Sequence, residues 1–478
     1  MMNFGLFFAS APFVVAALVP RTHVPLRPHR APAACAVAGI DTLFAECPLE
    51  RLSSAFYEAD ENSCGELDTK QFAQALQRCN QGTNGVEGLF QAIDADSSGL
   101  VSINEFLAPR VVQELCMELP VQRTSVIEPF RTECSWLWRK WSGTVLVSTW
   151  KPALCSMAVG AFLSIGVRVA SQRHCPLPSS WSATWQVFTT PDPKHPVIAR
   201  LLPLAGVWDK QLTLTSFVVT FFVGQALAFW RKCYENARSV ASRLSDLLLM
   251  LAAHAARIGP RGAYTPAAKA LLLSSARHSR LFHLLYWASV VRRYSAAGSN
   301  AGLRLLKERG HCTAAEVALL EAIPQKQRHH AVASWLVAAG EPSGADLNAP
   351  PTLVGMDVGQ WIERCTALRS AYGKIGQSLA ARMPIQYLHL VQILVDTLLF
   401  LAPFAMFARF GTAAVPLVGM LVCFYRGLVT VSKSFLDPFG NANTDVEIEV
   451  PVLVKEQFSA STRFLDAAAV LPPIEAGA

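Results

Sequence analysis

The stretch that decides the fold is Leu212-Thr-Leu-Thr-Ser-Phe-Val-Val-Thr-Phe-Phe-Val-Gly-Gln-Ala-Leu-Ala-Phe-Trp230. It carries no charged side chain over about the 20 residues that a helix needs to cross a bilayer. Three further segments are similarly apolar, at about 145–170, 384–410 and 413–435. The sequence therefore predicts an all-α, helical membrane protein with four membrane spans per subunit.

The composition supports this prediction and excludes some classes of partner. The chain is 52% hydrophobic and only 16% charged, whereas charged residues make up about a quarter of a soluble domain. The net charge of +7 is modest and diffuse, which fits membrane lipid and small anions as partners and does not favour nucleic acid. The twelve cysteines form no Cys-x-x-Cys pair, so neither a zinc site nor a disulfide framework is expected.

Residues 1–40 are predicted to be a targeting presequence. They contain no acidic residue, and an apolar run from Phe4 to Val19 is followed by Arg21, Arg27 and Arg30. An apolar run this short is typical of a signal peptide, and the basic, Pro-rich segment after it is typical of a transit peptide. This combination favours a plastid membrane, either thylakoid or envelope. A plain secretory signal, leading to another endomembrane or the plasma membrane, is the alternative.

A second informative stretch, Asp94-Ala-Asp-Ser-Ser-Gly-Leu-Val-Ser-Ile-Asn-Glu105, has the spacing of an EF-hand calcium loop. Calcium prefers six to eight oxygen ligands, and Gly99 stands where this loop must turn sharply. Glu105 is placed to close the loop as a bidentate carboxylate. The predicted ligands are Asp94, Asp96, Ser98, the carbonyl of Leu100, Ser102 through a water, and Glu105.

A weaker loop lies upstream, from Asp60 to Gln71. Its ligand positions are occupied by Asp60, Asn62, Cys64, Glu66, Asp68 and Gln71. Cys64 replaces an oxygen ligand and Gln71 replaces the closing glutamate, so the affinity for calcium should fall. We expect this loop to bind calcium weakly or not at all and to serve as the structural partner of the Asp94 loop.

The chain is thus predicted to have five parts. The presequence is followed by an EF-hand pair at 41–118 and a linker at 119–143, which ends in tryptophans beside basic residues as membrane interfaces do. The membrane body covers 144–440, and residues 441–478 form a polar C-terminal tail. Within the body, about 231–380 is predicted to form amphipathic helices rich in Arg and Lys. There, Thr313-Ala-Ala-Glu316 is a predicted capping box at the start of a helix.

From about Trp136 to Asp445 the chain resembles the bestrophin family of anion channels, of the algal or plastid type. The matching segments occur in the family's order. They are Trp138-Arg-Lys-Trp-Ser-Gly-Thr-Val145, Ser216-Phe-Val-Val-Thr-Phe-Phe-Val223, Thr313–Glu316, Pro384–Tyr387 and the motif Asp437-Pro438-Phe439-Gly440. The resemblance implies a homopentamer around one central pore, with helical domains outside the membrane.

The resemblance also implies that Thr213, Phe217 and Phe221 narrow the pore into a neck. They lie at i, i+4 and i+8, so they share one face of a helix. Phenyl edges carry partial positive charge, which favours a partly dehydrated anion such as chloride or bicarbonate. The alternative is that this apolar face packs against another helix.

Several charged residues are candidates for the pore mouth. Arg231, Lys232, Arg238 and Arg243 follow the neck and could concentrate anions, although a solvated or lipid-facing surface is an equal alternative. Asp396 lies inside the third span, where an ionised residue is costly and usually functional or paired. We expect it to face a vestibule or to pair with Arg426.

The sequence therefore predicts an anion channel with calcium as its cofactor. After Gly440, calcium-activated animal relatives carry a run of acids that binds calcium, but here only Asp445 is acidic in Asn441–Asp445. This difference places calcium control in the EF-hands. The alternative is a calcium-sensing membrane scaffold that does not conduct. No enzyme is expected, because Gly-x-Ser-x-Gly, a phosphate loop and a paired metal-histidine motif are all missing from the sequence. The pair His329-His330 lies in a Lys/Arg-rich stretch and is expected at the surface.

Overall fold

The computed structural model describes residues 44, 47–79, 86–116, 125–127, 144–172, 196–259, 261–340, 352–440 and 446–472. The predicted presequence, most of the predicted linker and the segment 441–445 lie outside these residues. The described part is helical, and its strands form a single two-residue antiparallel pair. This confirms the all-α fold class.

The N-terminal region is a pair of helix–loop–helix units. Its elements are α1 (Leu49–Ala59), β1 (Glu66–Leu67), α2 (Thr69–Arg78), α3 (Val86–Ile93), β2 (Val101–Ser102) and α4 (Ile103–Leu115). Both loops lead into a helix through a capping box, formed by Asp68 with Gln71 and by Ser102 with Glu105. Phe106 lies at the centre of the shared core, where its ring contacts Phe56 and Phe72.

The body consists of long helices joined by short ones. They are α5 (Leu146–Gln172), α6 (Pro196–His254), α7 (Pro266–Val290), α8 (Asn300–Glu308), α9 (Ala314–Glu321), α10 (Arg328–Ala338), α11 (Val358–Ala380), α12 (Ile385–Phe410), α13 (Ala414–Leu436) and α14 (Val450–Ala467). A 3-10 helix, Arg292–Gly298, follows α7. The predicted capping box is confirmed at the start of α9, where Thr313 and Glu316 bond reciprocally.

Helix α6 is much longer than the span that the sequence predicted. Its 59 residues correspond to about 90 Å at 1.5 Å per residue, three times the thickness of a bilayer core. The predicted span at 212–230 occupies its middle, and the same helix continues to His254 where separate amphipathic helices were expected. The apolar signal of the membrane span ends at Trp230, where the sequence becomes polar. The helix itself continues, because no Gly or Pro interrupts the chain between Trp230 and His254.

Three described segments are long and apolar enough to cross a membrane: Leu146–Gly166, Ile198–His254 and Ile385–Leu436. The third segment holds two helices, α12 and α13, joined by a 3-10 turn at Gly411–Ala413. The four predicted spans therefore fall in four helices, as expected for an integral membrane protein. The number of crossings remains a prediction.

Two hydrophobic clusters divide the body, and α6 contributes to both. The apolar helices α12 and α13 pack with the first half of α6, through Val219 and Phe222 among others. From Cys233 onward the same helix packs into a second cluster with α7, α11 and α14. A movement of α6 would therefore be felt in both halves of the body.

One smaller expectation was wrong for one residue of a pair. Both His329 and His330 were expected at the surface, and His330 is exposed. His329 is instead 7% exposed and its ring contacts Phe282, Tyr286 and Tyr372. Burial lowers the pKa of His329 to about 4, so the ring is neutral at physiological pH and packs as part of the core.

Candidate calcium site and conduction helix

The second loop gathers three carboxylates. Ligand oxygens of Asp94, Asp96 and Glu105 all lie within 4.8 Å of one another. The backbone turns to positive φ at Ser97 (58°) and Gly99 (81°), which directs the amides of Ser98 and Gly99 to the Asp94 carboxylate at 3.0 and 2.9 Å. The structure therefore brings together three of the predicted ligands, and calcium binding by them stays a prediction.

The remaining predicted ligands, Ser98, Leu100 and Ser102, are held by hydrogen bonds within the loop. Ser98 Oγ donates to the carbonyl of Leu100 at 2.9 Å, and Ser102 Oγ donates to Glu105 Oε2 at 2.8 Å. Glu105 is 8% exposed, and its Oε1 accepts from the Ala95 amide at 3.0 Å. Both oxygens of the closing carboxylate thus accept hydrogen bonds from residues of the loop itself.

Two of these carboxylates differ in their electrostatic environment. Burial raises the pKa of Asp94, and the neighbouring Asp96 raises it further. Burial acts on Asp96 in the same direction, but hydrogen bonds from Ser98 hold the Asp96 pKa below its ordinary value. Crowded carboxylates repel each other, and a divalent cation among them would remove this repulsion. Carboxylate, hydroxyl and carbonyl oxygens fit calcium rather than a thiophilic metal.

The first loop has the same backbone but a poorer set of ligands. Ser63 and Gly65 have φ of 53° and 81°, and the Asp60 carboxylate accepts from the amides of Cys64 and Gly65 at 3.1 and 2.8 Å. The Cys64 thiol bonds to the Glu66 carbonyl, which is the predicted seventh-position ligand.

Two further positions of the first loop are occupied by capping contacts. Asp68 Oδ1 accepts from the backbone amides of Lys70 and Gln71 at 2.9 and 2.8 Å. Gln71 contributes an uncharged amide, whose oxygen accepts from the Asp68 backbone at 3.0 Å. Asn62 accepts only a long bond from the Cys64 amide, at 3.4 Å. The geometry suits a structural partner of the second loop.

The predicted neck residues lie on one exposed face of α6. Phe217 and Phe221 are 73% and 57% exposed in the single chain, and Thr213 is exposed with them. The opposite face is buried, with Val219 and Phe222 at 1% and 0%. Within the described part of one chain nothing covers the two phenyl rings, so packing inside the subunit does not account for them.

The basic residues after the neck divide into two groups. Arg231 and Lys232 are exposed, and no ion pair joins them to another described residue. Arg238 pairs with Glu456 of α14, and Arg243 pairs with Asp246 at 3.2 Å. Arg231 and Lys232 therefore remain the stronger candidates for attracting anions.

Asp396 is exposed on α12 but does not contact Arg426. Its Oδ2 accepts from Gln392 Nε2 at 2.7 Å, and Gln392 Oε1 accepts from Lys433 at 2.8 Å. Of the two alternatives, the pairing with Arg426 is wrong, because Gln392 bonds to Asp396 and links it to Lys433. The exposed position leaves a vestibule-facing role open.

The Asp437–Gly440 motif forms a turn that ties the last apolar helix to the rest of the body. Asp437 pairs with Arg382 at 3.0 Å, and the Pro438 carbonyl accepts from the Ile448 amide at 2.8 Å. Phe439 is 5% exposed and packs on Trp287, with ring centroids 5.2 Å apart. The motif is therefore structural and fixes where the following segment runs.

One group of polar residues was not predicted from the sequence. Arg293, in the 3-10 helix, lies within 4.0 Å of Glu50, Glu114 and Glu447, which come from three distant segments. No sequence motif identifies Arg293, because its three partners are more than 150 positions away in the chain. Only the fold brings them together.

Comparison with known structures finds bacterial bestrophin homologues. A single-substitution variant of the homologue from Klebsiella pneumoniae has 11% identity and a TM-score of 0.46, over 66% of this chain and 98% of the other. A second crystal structure of that homologue has 14% identity and a TM-score of 0.44, over 67% and 99%. No protein-family model and no curated protein matches the chain.

At this identity and TM-score the similarity assigns the chain no family and none of its residues a role. The functional argument that follows rests on the residues of this chain.

Proposed function

We propose that the chain is a subunit of a calcium-regulated anion channel. It would assemble as a homopentamer and conduct chloride, bicarbonate or both, with a plastid membrane favoured as its location. The observation that carries this proposal is the exposed face of α6, where Phe217 and Phe221 stand uncovered on a long apolar helix whose other face is buried.

Five copies of this face around an axis would place rings of phenyl groups along a pore. Ring edges directed at the axis present partial positive charge to a partly dehydrated anion. A ring of apolar groups also forms a barrier that opens and closes by dewetting. The Thr213 hydroxyl donates to the Asp209 carbonyl of its own helix at 3.1 Å, so its lone pairs remain available to water at one end of the neck.

The charged residues beyond the neck support an anion rather than a cation. Arg231 and Lys232 follow the phenyl rings on the same helix and are exposed. Repeated around an axis, they would raise the local concentration of anions at one mouth of the pore. Asp209 is paired with Arg409, which offsets its negative charge at the other end.

The calcium part of the proposal rests on the second loop. Asp94, Asp96 and Glu105 form the one carboxylate cluster of this kind among the described residues. The acidic run that follows Gly440 in calcium-activated relatives is reduced to Asp445 in this sequence. Calcium would therefore act through Asp94–Glu105.

The proposal is tested by reconstituting the purified full-length chain in chloride-loaded liposomes and measuring anion efflux. We expect efflux from the wild type and a changed rate or anion selectivity in Phe217→Ala, because the substitution widens and wets the neck. Phe400→Ala is the matched control, since Phe400 is 71% exposed on α12 and outside the proposed neck. Absence of efflux at every calcium concentration would instead favour a non-conducting scaffold.

A further inference from the structure

Helix α4 is shared between the calcium-binding region and the channel body. Its first turn contains Glu105, and Phe106 lies in the core of the EF-hand pair. Further along, Val111, Val112 and Leu115 are fully buried in the core of the body. The helix that begins in the calcium loop is therefore also packed into the core of the body, so a conformational change in the loop reaches the body through α4.

The far end of α4 is joined to Arg293 by partly buried polar contacts. Glu114 Oε1 lies 3.2 Å from the Arg293 guanidinium and accepts from the Tyr294 hydroxyl at 3.2 Å. Burial alone would lower the pKa of Arg293, but the oxygens around it, led by Tyr294 and Glu114, raise it instead. The guanidinium is thus a permanent positive charge held among carboxylates of separate segments.

Arg293 also contacts the segment that follows the last apolar helix. Its guanidinium lies 4.0 Å from Glu447, whose side chain is only 10% exposed. The adjacent Val446 carbonyl accepts from Trp230 Nε1 at 2.8 Å. Trp230 belongs to α6 and lies nine positions beyond Phe221 on the same helix (230 − 221).

These contacts form a continuous path of side chains and backbone. We propose that calcium bound at Asp94–Glu105 acts on the conduction helix through a relay from Glu114 to Arg293, from Arg293 to Glu447, and from Val446 to Trp230. The relay rests on the proposed function, because it names the route by which the calcium loop regulates that pore. Arg293 is a positioning residue in it and contacts neither calcium nor anion.

Pro109 interrupts the hydrogen bonding of α4 between its calcium-loop end and its body end. It lies inside α4 between the loop end and the body end, and a proline leaves the carbonyl four residues earlier without its helical partner. That carbonyl belongs to Glu105, the closing ligand. When Glu105 turns from its capping contacts to a cation, the first turn of α4 changes its bonding while the second half stays packed in the body.

The inference is tested with Arg293→Gln in the full-length chain. We measure calcium binding by titration and the calcium dependence of anion efflux from liposomes. We expect calcium affinity within about threefold of the wild type, while the ratio of efflux with calcium to efflux without it falls to near one. Arg293→Lys should restore part of this ratio, because the charge is kept and the fork-shaped contacts are lost.

Two further variants make the result specific. Glu447→Gln tests the next step of the relay and replaces Arg293→Gln if that variant does not fold. Arg78→Gln is the matched control, since it breaks an ion pair with Glu58 that stays within the EF-hand pair. We expect the control to keep the calcium dependence of efflux.

A second readout does not depend on conduction. Hydrogen exchange of residues 446–454 in the purified protein should change when calcium is added to the wild type and should not change in Arg293→Gln. Equal calcium responses of wild type and Arg293→Gln in both measurements would overturn the relay. Absence of efflux from the wild type, with the exchange response intact, would overturn the proposed channel function alone.

Discussion

The two N-terminal loops, Asp60–Gln71 and Asp94–Glu105, have nearly the same backbone and different chemistry. In each loop the first aspartate accepts from the amides at the fifth and sixth positions, and the residues at the fourth and sixth positions have positive φ. Leu67 and Val101 pair directly across the short sheet, and both are fully buried. The loops differ in their closing residues, Gln71 and Glu105.

This difference shows that the conformation of a loop and its affinity for calcium depend on different residues. Glycines at the turns, side-chain caps and the paired strands fix the loop conformation, and the first loop keeps it with a thiol and an amide at ligand positions. Calcium affinity depends on the number and charge of the oxygen ligands. We therefore expect the loops to be alike in fold and unlike in metal binding, and the following predictions test that contrast.

The largest effect is expected from Glu105→Gln. Gln71 shows that a glutamine at this position still forms the capping box, so the domain should fold while the bidentate carboxylate is lost. We expect calcium affinity to fall by more than the ~10–100-fold typical of losing an outer-shell partner, measured by calorimetric titration. Glu58→Gln, which removes an exposed charge from the same domain, should leave the affinity unchanged. Equal losses in both would contradict the assignment.

The reverse change should give the first loop a calcium site. Cys64→Asp with Gln71→Glu adds two carboxylates to a backbone that already has the required turn. We expect the binding stoichiometry to rise toward two calcium ions per chain, because charge count is what the loop lacks. Cys64→Ala with Gln71→Glu is the control for the thiol. An unchanged stoichiometry in the repaired chain would mean that the two backbones are less alike than their geometry indicates.

Calcium removal should destabilise the wild type more than Glu105→Gln. A ligand that binds only the folded state at one hundred times its dissociation constant adds about 2.7 kcal/mol to the free energy of unfolding. Chelation should therefore lower the apparent Tm of the wild type and barely change that of Glu105→Gln. A similar decrease in both proteins would indicate a calcium site elsewhere.

The smallest effect on calcium binding is expected when the packing of the first loop is weakened and every predicted ligand is kept. Leu67→Ala removes a fully buried side chain opposite Val101 and should lower the free energy of unfolding of the domain by about 2–5 kcal/mol. We expect a modest loss of calcium affinity at the second loop. Tyr57→Ala, at a side chain that is 58% exposed, should change neither quantity by more than about 0.5 kcal/mol.

The sequence predicted the elements whose signals are local. Loop spacing identified Asp94–Glu105, i, i+4 periodicity placed Phe217 and Phe221 on one face, and a short motif located the cap at Thr313–Glu316. The structure clusters the three carboxylates of that loop, exposes both phenyl groups and forms the cap, while the roles of the first two features stay predictions.

What the sequence could not predict depends on contacts between distant segments. The meeting of Arg293 with Glu50, Glu114 and Glu447 has no local signature. Arg426, one of the alternatives for Asp396, is not its partner, because a polar uncharged residue, Gln392, provides the contact. His329 was misplaced because basic neighbours suggested solvent, while the aromatic rings that surround it come from α7 and α11.

The most direct test of the account compares anion efflux against calcium concentration for liposomes containing the wild type and Glu105→Gln. Both proteins are reconstituted at the same density, and calcium binding is measured on the same preparations. We predict that wild-type efflux changes with calcium and that Glu105→Gln efflux is the same at every calcium concentration. An identical calcium dependence in the two proteins, with binding lost in the variant, would contradict calcium control by the Asp94–Glu105 loop.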